Sequence, residues 1–274
     1  MPPKTSSSDR WSALLKTLEL DPLWEPRPGS FARHSASVST GAATQAVDSM
    51  TQAAPLAAAL DVANAASKPD TPNRTALIAG MDWPTLEAAV AQCVACPLWE
   101  TRTQTVFGVG DRQAAWMFVG EAPGAEEDKR GEPFVGRAGK LLDAMLAAMG
   151  LHRGEDVFIS NVLKSRPPNN RDPLGLEVQQ CEPYLKRQIA LIQPKVIVAL
   201  GRFAVQSLLH AHTPLSELRG RPHAYQGIPL IVTYHPAYLL RSPLEKRKAL
   251  EDLRLAQRLM ASIRDGAGSV PAQS

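Results

Sequence analysis

Four short, almost unbroken apolar runs punctuate the chain beyond its first hundred residues, over 115–119, 157–161, 195–200 and 229–234. Runs of five or six such residues, bounded by Gly, Pro or polar positions, predict strands buried on both faces. Between them the apolar positions change period. Leu141, Leu142, Met145, Leu146 and Met149 recur at helical spacing, with Gly150 placed to end the helix. Similar patterns cover 175–193, 202–210 and 243–263, and another spans 83–95, leading into Cys93-Val94-Ala95-Cys96-Pro97. Strands alternating with helices predict parallel pairing through right-handed crossovers. The expected fold is therefore α/β, a three-layer sandwich around a central four-stranded parallel sheet.

The first 80 residues read differently. Residues 9–27 carry Trp11, Leu14, Leu15, Leu18 and Leu20, a short amphipathic segment that should stop near Asp21-Pro22. Residues 28–80 are rich in Ala, Ser, Thr, Gly and Pro and read as a disordered linker. The globular domain is expected over 81–264, followed by a disordered tail at 265–274. A tethered amphipathic segment suits a docking peptide for a protein partner, a helix lying on its own domain, or a weakly ordered tail.

Composition narrows the field modestly. Net charge is +3 over 274 residues with 44% apolar content. The first 80 residues hold seven basic and seven acidic side chains, so the whole excess lies beyond them. Such a bias permits nucleic acid without requiring it. Neither a membrane-length apolar run nor a signal-peptide core is visible, which sets the expectation of a cytoplasmic monomer with no membrane association. Three cysteines, Cys93, Cys96 and Cys181, form an odd set, and the absence of a secretion signal argues against a disulfide framework. Metal ligation and plain burial both remain open.

Candidate chemistry collects at the strand exits. Glu121 follows the first run, Asn161 ends the second, Gly201 follows the third and His235 the fourth. One edge of a parallel sheet would then gather a carboxylate, an amide and an imidazole in Gly/Pro-rich loops. Competing motifs fail: Gly139-Lys140 lacks the upstream glycine and the Ser/Thr of a phosphate loop, Phe107-Gly108-Val109-Gly110 precedes its strand instead of following it, and no GxSxG elbow occurs.

Six ordered blocks carry a family resemblance: GEAPGAEED (120–128), PFVGRAGKLL (133–142), SNVLKSRPPNNRDP (160–173), CEPYL (181–185), ALGRFA (199–204) and HPAYLLR (235–241). Together they resemble the family 4 uracil-DNA glycosylases, the iron–sulfur branch of that superfamily, over roughly residues 81–260. The resemblance implies an enzyme that flips deoxyuridine out of uracil-containing DNA and hydrolyses its N-glycosidic bond, opening base excision repair. A second expectation, from a different class, is a catalytically weak DNA-binding homologue recruited to a replication or repair complex through its N-terminal segment.

The resemblance also implies roles. Phe134 matches the aromatic that stacks on the base, and Asn161 the amide that reads the pyrimidine edge, for which an amide supplies both donor and acceptor. His235 matches the donor to O2, where negative charge develops. Glu121 matches the carboxylate that positions water or offsets an oxocarbenium-like sugar, with Glu127 a second acidic candidate and Asp128 a third. Backbone amides of Ala122 and Gly124 are candidate base contacts. Leu239, Leu240 and Arg241 match the loop that enters the vacated stack, with Lys164, Arg166, Arg171 and Arg202 as phosphate candidates.

Family members hold a [4Fe–4S] cluster through four cysteines. Cys93, Cys96 and Cys181 fit the first, second and fourth positions, but Ser165 stands at the third. Serine oxygen is harder and far less acidic than a thiolate. Three outcomes compete: a full cluster with Ser165 or another oxygen as fourth ligand, a three-iron or labile cluster, or none. A related branch that cross-links to abasic DNA through a histidine in an insertion is disfavoured, because only 19 residues separate Asn161 from Cys181 and none is His.

Overall fold

The computed structural model describes residues 72–266. The expected segments at 9–27 and 28–71, and most of the tail, lie outside the described residues. In chain order the elements are α1 (Pro72–Ala79), α2 (Trp83–Ala91), β1 (Val109–Gly110), β2 (Trp116–Gly120), α3 (Ala125–Arg130), α4 (Arg137–Ala148), β3 (Val157–Asn161) and α5 (Gly175–Ile192). Then come β4 (Val196–Leu200), α6 (Arg202–Leu209), α7 (Leu215–Leu218), β5 (Pro222–Tyr225), β6 (Ile228–Thr233), α8 (Pro236–Arg241) and α9 (Lys246–Arg264).

One sheet runs in the order β1-β3-β2-β4-β6-β5. Its centre, β3-β2-β4-β6, is parallel, in registers such as Phe118 opposite Ile159 and Val198, and Val198 opposite Ile231. Nearly every residue of these strands is buried, as continuous apolar runs require when both faces are covered. Strand side chains alternate between the faces. Trp116, Phe118, Ile159 and Val198 pack on one side with Leu142 and Met145 of α4 and Leu250 and Leu253 of α9. Met117, Val119, Phe158 and Ile197 pack on the other with Leu185 and Ile189 of α5 and Val205 and Leu208 of α6. The three-layer α/β expectation holds.

Two differences have local causes. The expected four-stranded sheet has six strands, because short antiparallel strands close both edges: β1 against β3 and β5 against β6. β1 has two residues and no period to detect. β5 is only partly buried and joins β6 through Gln226-Gly227, both at positive φ, the backbone of a tight hairpin. The second difference is α1, which lies inside the expected linker. Its order comes from tertiary contact: Ile78 is buried with Leu86, Val90, Phe107 and Tyr184. Arg74 donates to the Gln180 carbonyl at 2.9 Å and lies over the Tyr184 ring. Among the described residues no helix is long and apolar enough to cross a membrane.

Candidate active site

The site follows from strand order. Beyond β2 the chain moves to β3 on one side, and beyond β4 it moves to β6 on the other. The crevice between the carboxyl ends of β2 and β4 is the topological switch point, where open parallel sheets bind ligands. A cleft of about 820 Å³ opens there, lined by Glu121, Ala122, Gly124, Glu127, Phe134, Asn161, Gly201, His235 and Arg241 among others. The carboxylate, amide and imidazole expected from separate strand exits therefore share one cavity with the Phe134 ring.

Glycine lets these groups approach. A Cβ at Gly120 would lie 2.4 Å from Asn161 Oδ1 and 2.5 Å from Phe134 Cζ, so only hydrogen fits at the end of β2. Gly201, at φ +87°, passes the His235 side chain, where a Cβ would lie 2.7 Å from His235 Cβ. Phe134 and His235 stand with ring centroids 5.5 Å apart and planes inclined at 32°, forming an aromatic wall.

Asn161 is almost fully buried, yet its Oδ1 has no hydrogen-bond partner. Leaving a buried acceptor unpaired costs about 1–3 kcal/mol, so a ligand bearing an N–H here recovers that loss. The Asn161 main-chain carbonyl is held from behind by Lys164 Nζ at 2.7 Å.

Glu121 sits in the cleft with its pKa pushed up to about 7, mainly by burial and further by Asp172, with Arg202 opposing. At neutral pH it exchanges between acid and base forms, the range suited to general acid–base work. His235 moves the other way: burial and the nearby Arg241 lower it to about 4, so the ring is neutral. Its Nδ1 accepts the Ala237 amide at 3.1 Å while the residue caps α8. The ring proton of the neutral form therefore resides on Nε2, a donor without a formal charge.

Glu127 lines the cleft, but its carboxylate is engaged. It accepts the amides of Gly124 at 3.1 Å, Val135 at 3.0 Å and Gly136 at 3.1 Å. This corrects its expected catalytic role: the side chain staples the loop between β2 and α4. The Gly124 amide, expected to touch the base, is consumed in the same staple. Asp128 is buried and accepts the Thr103 amide, so it is structural as well.

Several expected DNA contacts are relocated. Lys164 is buried, donating to Ser160 Oγ, Asn161 O and Gln188 Oε1 at 2.6–2.7 Å. Burial lowers its pKa to about 7; it braces Asn161 and cannot reach phosphate. Leu239 is buried in the core and does not enter a base stack, whereas Leu240 is only partly buried against the same core. The exposed apolar side chains of this stretch are Tyr238 and Leu244, and Arg241 keeps an exposed position at the cleft. Arg166 is half-buried and bonds Asn170. Arg171 is paired with the buried Glu177, and Arg202 with Asp172. Sequence reasoning missed Gly120, whose need is visible only in three dimensions. It also missed Asp172, which stands unmarked within the quoted NNRDP block.

On the opposite flank of β3, Cys93, Cys96 and Cys181 are all unpaired thiols. They are near enough to influence one another electrostatically. Burial raises Cys181 to about 12 and also raises Cys96, with each neighbouring thiol adding to the effect. Ser165 is buried, and its hydroxyl accepts Arg102 Nη1 at 3.0 Å. Among the described residues, no group of three or more His, Cys, Asp or Glu is placed to hold a single metal ion. A cluster would find three thiols here and, at the fourth corner, a hydroxyl bound to a guanidinium. The donor set fits in part.

Known proteins resemble the chain over the same region. The family model of the uracil DNA glycosylase superfamily matches residues 107–254. The chain is 47% identical over 173 residues to a type-4 uracil-DNA glycosylase of Archaeoglobus fulgidus, covering 60% of this chain and 86% of that protein. It is 43% identical over 183 residues to the protein of that name from Pyrobaculum aerophilum, covering 64% and 93%. With the protein of that name from Sulfurisphaera tokodaii it shares 47% identity over 176 residues, covering 61% and 79%.

Proposed function

The chain belongs to the uracil DNA glycosylase superfamily, and we propose that it excises uracil from DNA by hydrolysing the N-glycosidic bond of an extruded deoxyuridine. The observation that carries this reading is the buried, unpartnered Oδ1 of Asn161 beside the Phe134 ring. Uracil N3–H supplies the missing donor, and the amide nitrogen of Asn161 donates to O4. A base inside a duplex reaches such a pocket only by leaving the stack. Phe134 then stacks on its face.

Hydrolysis breaks the C1′–N1 bond and leaves the electron pair on uracil. The neutral His235 donates from Nε2 towards O2 as charge gathers there, an arrangement that strengthens in the transition state. Glu121 in its ionised form offsets the positive sugar and orients water. Water adds its oxygen to C1′, its proton neutralises the departing uracil anion, and the products are uracil and an abasic site. Glu127 positions the loop and takes no part in proton transfer. Arg241, exposed at the cleft, is assigned to phosphate. The raised Glu121 and the unpaired Asn161 acceptor favour catalysis over the alternative of a catalytically weak DNA-binding homologue.

Cys93, Cys96 and Cys181 are proposed as ligands of an iron–sulfur cluster, with the Ser165 hydroxyl at the remaining corner. When bound, the cluster would order the surrounding loops and supply no excision chemistry. The deciding experiment for the function incubates purified chain with uracil-containing single- and double-stranded oligonucleotides, followed by alkaline cleavage. Strand scission at uracil is expected; none at enzyme excess rejects the reading.

A further inference from the structure

Arg153, in the turn between α4 and β3, is unaccounted for by the chemistry above. Its guanidinium donates to the Pro133 carbonyl at 2.8 Å through Nη1 and to the Phe134 carbonyl at 2.8 Å through Nη2. Asp143 of α4 orients it, accepting Nε at 3.1 Å and Nη2 at 2.8 Å, and Glu132 takes Nη1 at 3.3 Å. The planar fork is thus filled on one side by carboxylates and on the other by two consecutive main-chain oxygens, a geometry that lysine cannot copy.

The segment it grips is strained. Phe134 has φ +56°, a left-handed conformation uncommon for an aromatic residue. The same carbonyl presses against Gly139, where a Cβ would lie 1.7 Å from it. Strained backbone persists where its surroundings over-determine it. Here three constraints converge: Glu127 on the amides of Val135 and Gly136, Gly139 beneath, and Arg153 on the carbonyls.

We propose that Arg153, oriented by Asp143, is a positioning residue for base recognition: it locks the Pro133–Phe134 backbone and so fixes the Phe134 ring beside His235. This assignment rests on the reading of Phe134 as the stacking ring. An ordinary surface ion pair with Asp143 would instead contribute little and leave the loop unaffected.

Amide hydrogen exchange on the full chain tests the clamp whether or not the chain excises uracil. In Arg153→Ala, exchange at Val135 and Gly136 should accelerate at least tenfold while Val198 in the central strand keeps its protection. Unchanged loop exchange, or equal acceleration in both places, overturns the proposal. The functional half is read by competitive inhibition with free uracil. Arg153→Ala should weaken inhibition about tenfold while affinity for undamaged DNA stays within twofold. Arg153→Lys should recover part of the loss, and Asp143→Asn should fall between. Wild-type inhibition in Arg153→Ala overturns the role, whereas a wild-type chain that neither excises nor binds uracil instead removes the function reading.

Discussion

Two regions border β3, and they differ in which of their polar groups are left for a ligand to complete. At the carboxyl edge of the sheet, groups are left wanting: Asn161 Oδ1 has no partner, Glu121 is desolvated to about 7, and His235 is held neutral. On the cysteine side, Lys164 makes three hydrogen bonds and Ser165 receives Arg102. Unpaired polarity beside a cavity is what a binding site requires, because the ligand completes it. Satisfied polarity marks support. Of the buried, unpartnered side-chain atoms among the described residues, Asn161 Oδ1 is the one lining the cleft.

The contrast breaks most directly at Asn161. Asn161→Ala should lower single-turnover uracil excision roughly 10³-fold, the loss of two hydrogen bonds that strengthen in the transition state. Loss below tenfold would remove its edge-reading role.

Glu121→Gln should reduce excision about 10²-fold and stabilise the fold. The folded pKa lies above the usual 4.5, so ionisation penalises the native state as pH rises from 4.5 through 7. At pH 8 the full penalty applies, and urea unfolding should show the variant more stable by on the order of 1–3 kcal/mol, with the gain fading towards pH 4.5. A variant less stable at pH 8 would contradict the desolvation.

The rate–pH profile follows from the same group. Single-turnover rates should fall about tenfold per pH unit below 7 and level above it. Because His235 stays neutral down to about 4, no second inflection should appear between pH 5 and 7. The Glu121→Gln profile should be flat over that range.

Arg241→Ala should weaken DNA binding a few-fold and reduce the salt dependence by about one ion. The smallest effect on excision is expected on the other flank. Ser165→Cys should leave excision within about twofold while raising the iron retained by anaerobically purified protein, because a thiolate is the better cluster ligand. Equal iron in both proteins would show that Ser165 does not limit occupancy.

The legible parts of this molecule were those in which one residue type has one physical explanation. Continuous apolar runs such as VIVAL mean strands covered on both faces, and β4 spans Val196–Leu200. Glu121, Asn161 and His235 stood out because strand exits converge whatever the loops do. Lys164 was misread because a lysine beside RPP resembles surface charge, and only the fold shows three acceptors around it. Leu239 was misread for the same reason: whether a leucine in a six-residue helix faces DNA or core depends on where the helix sits. Arg153 left no trace, since its partners are main-chain carbonyls and those have no sequence signature.

The capping of α8 by His235 has a mechanical corollary. Six residues at about 1.5 Å rise form a rod with the imidazole fixed at one end and the Arg241 cation at the other. On the proposed reading, a phosphate held by Arg241 bears on the same short helix that His235 caps.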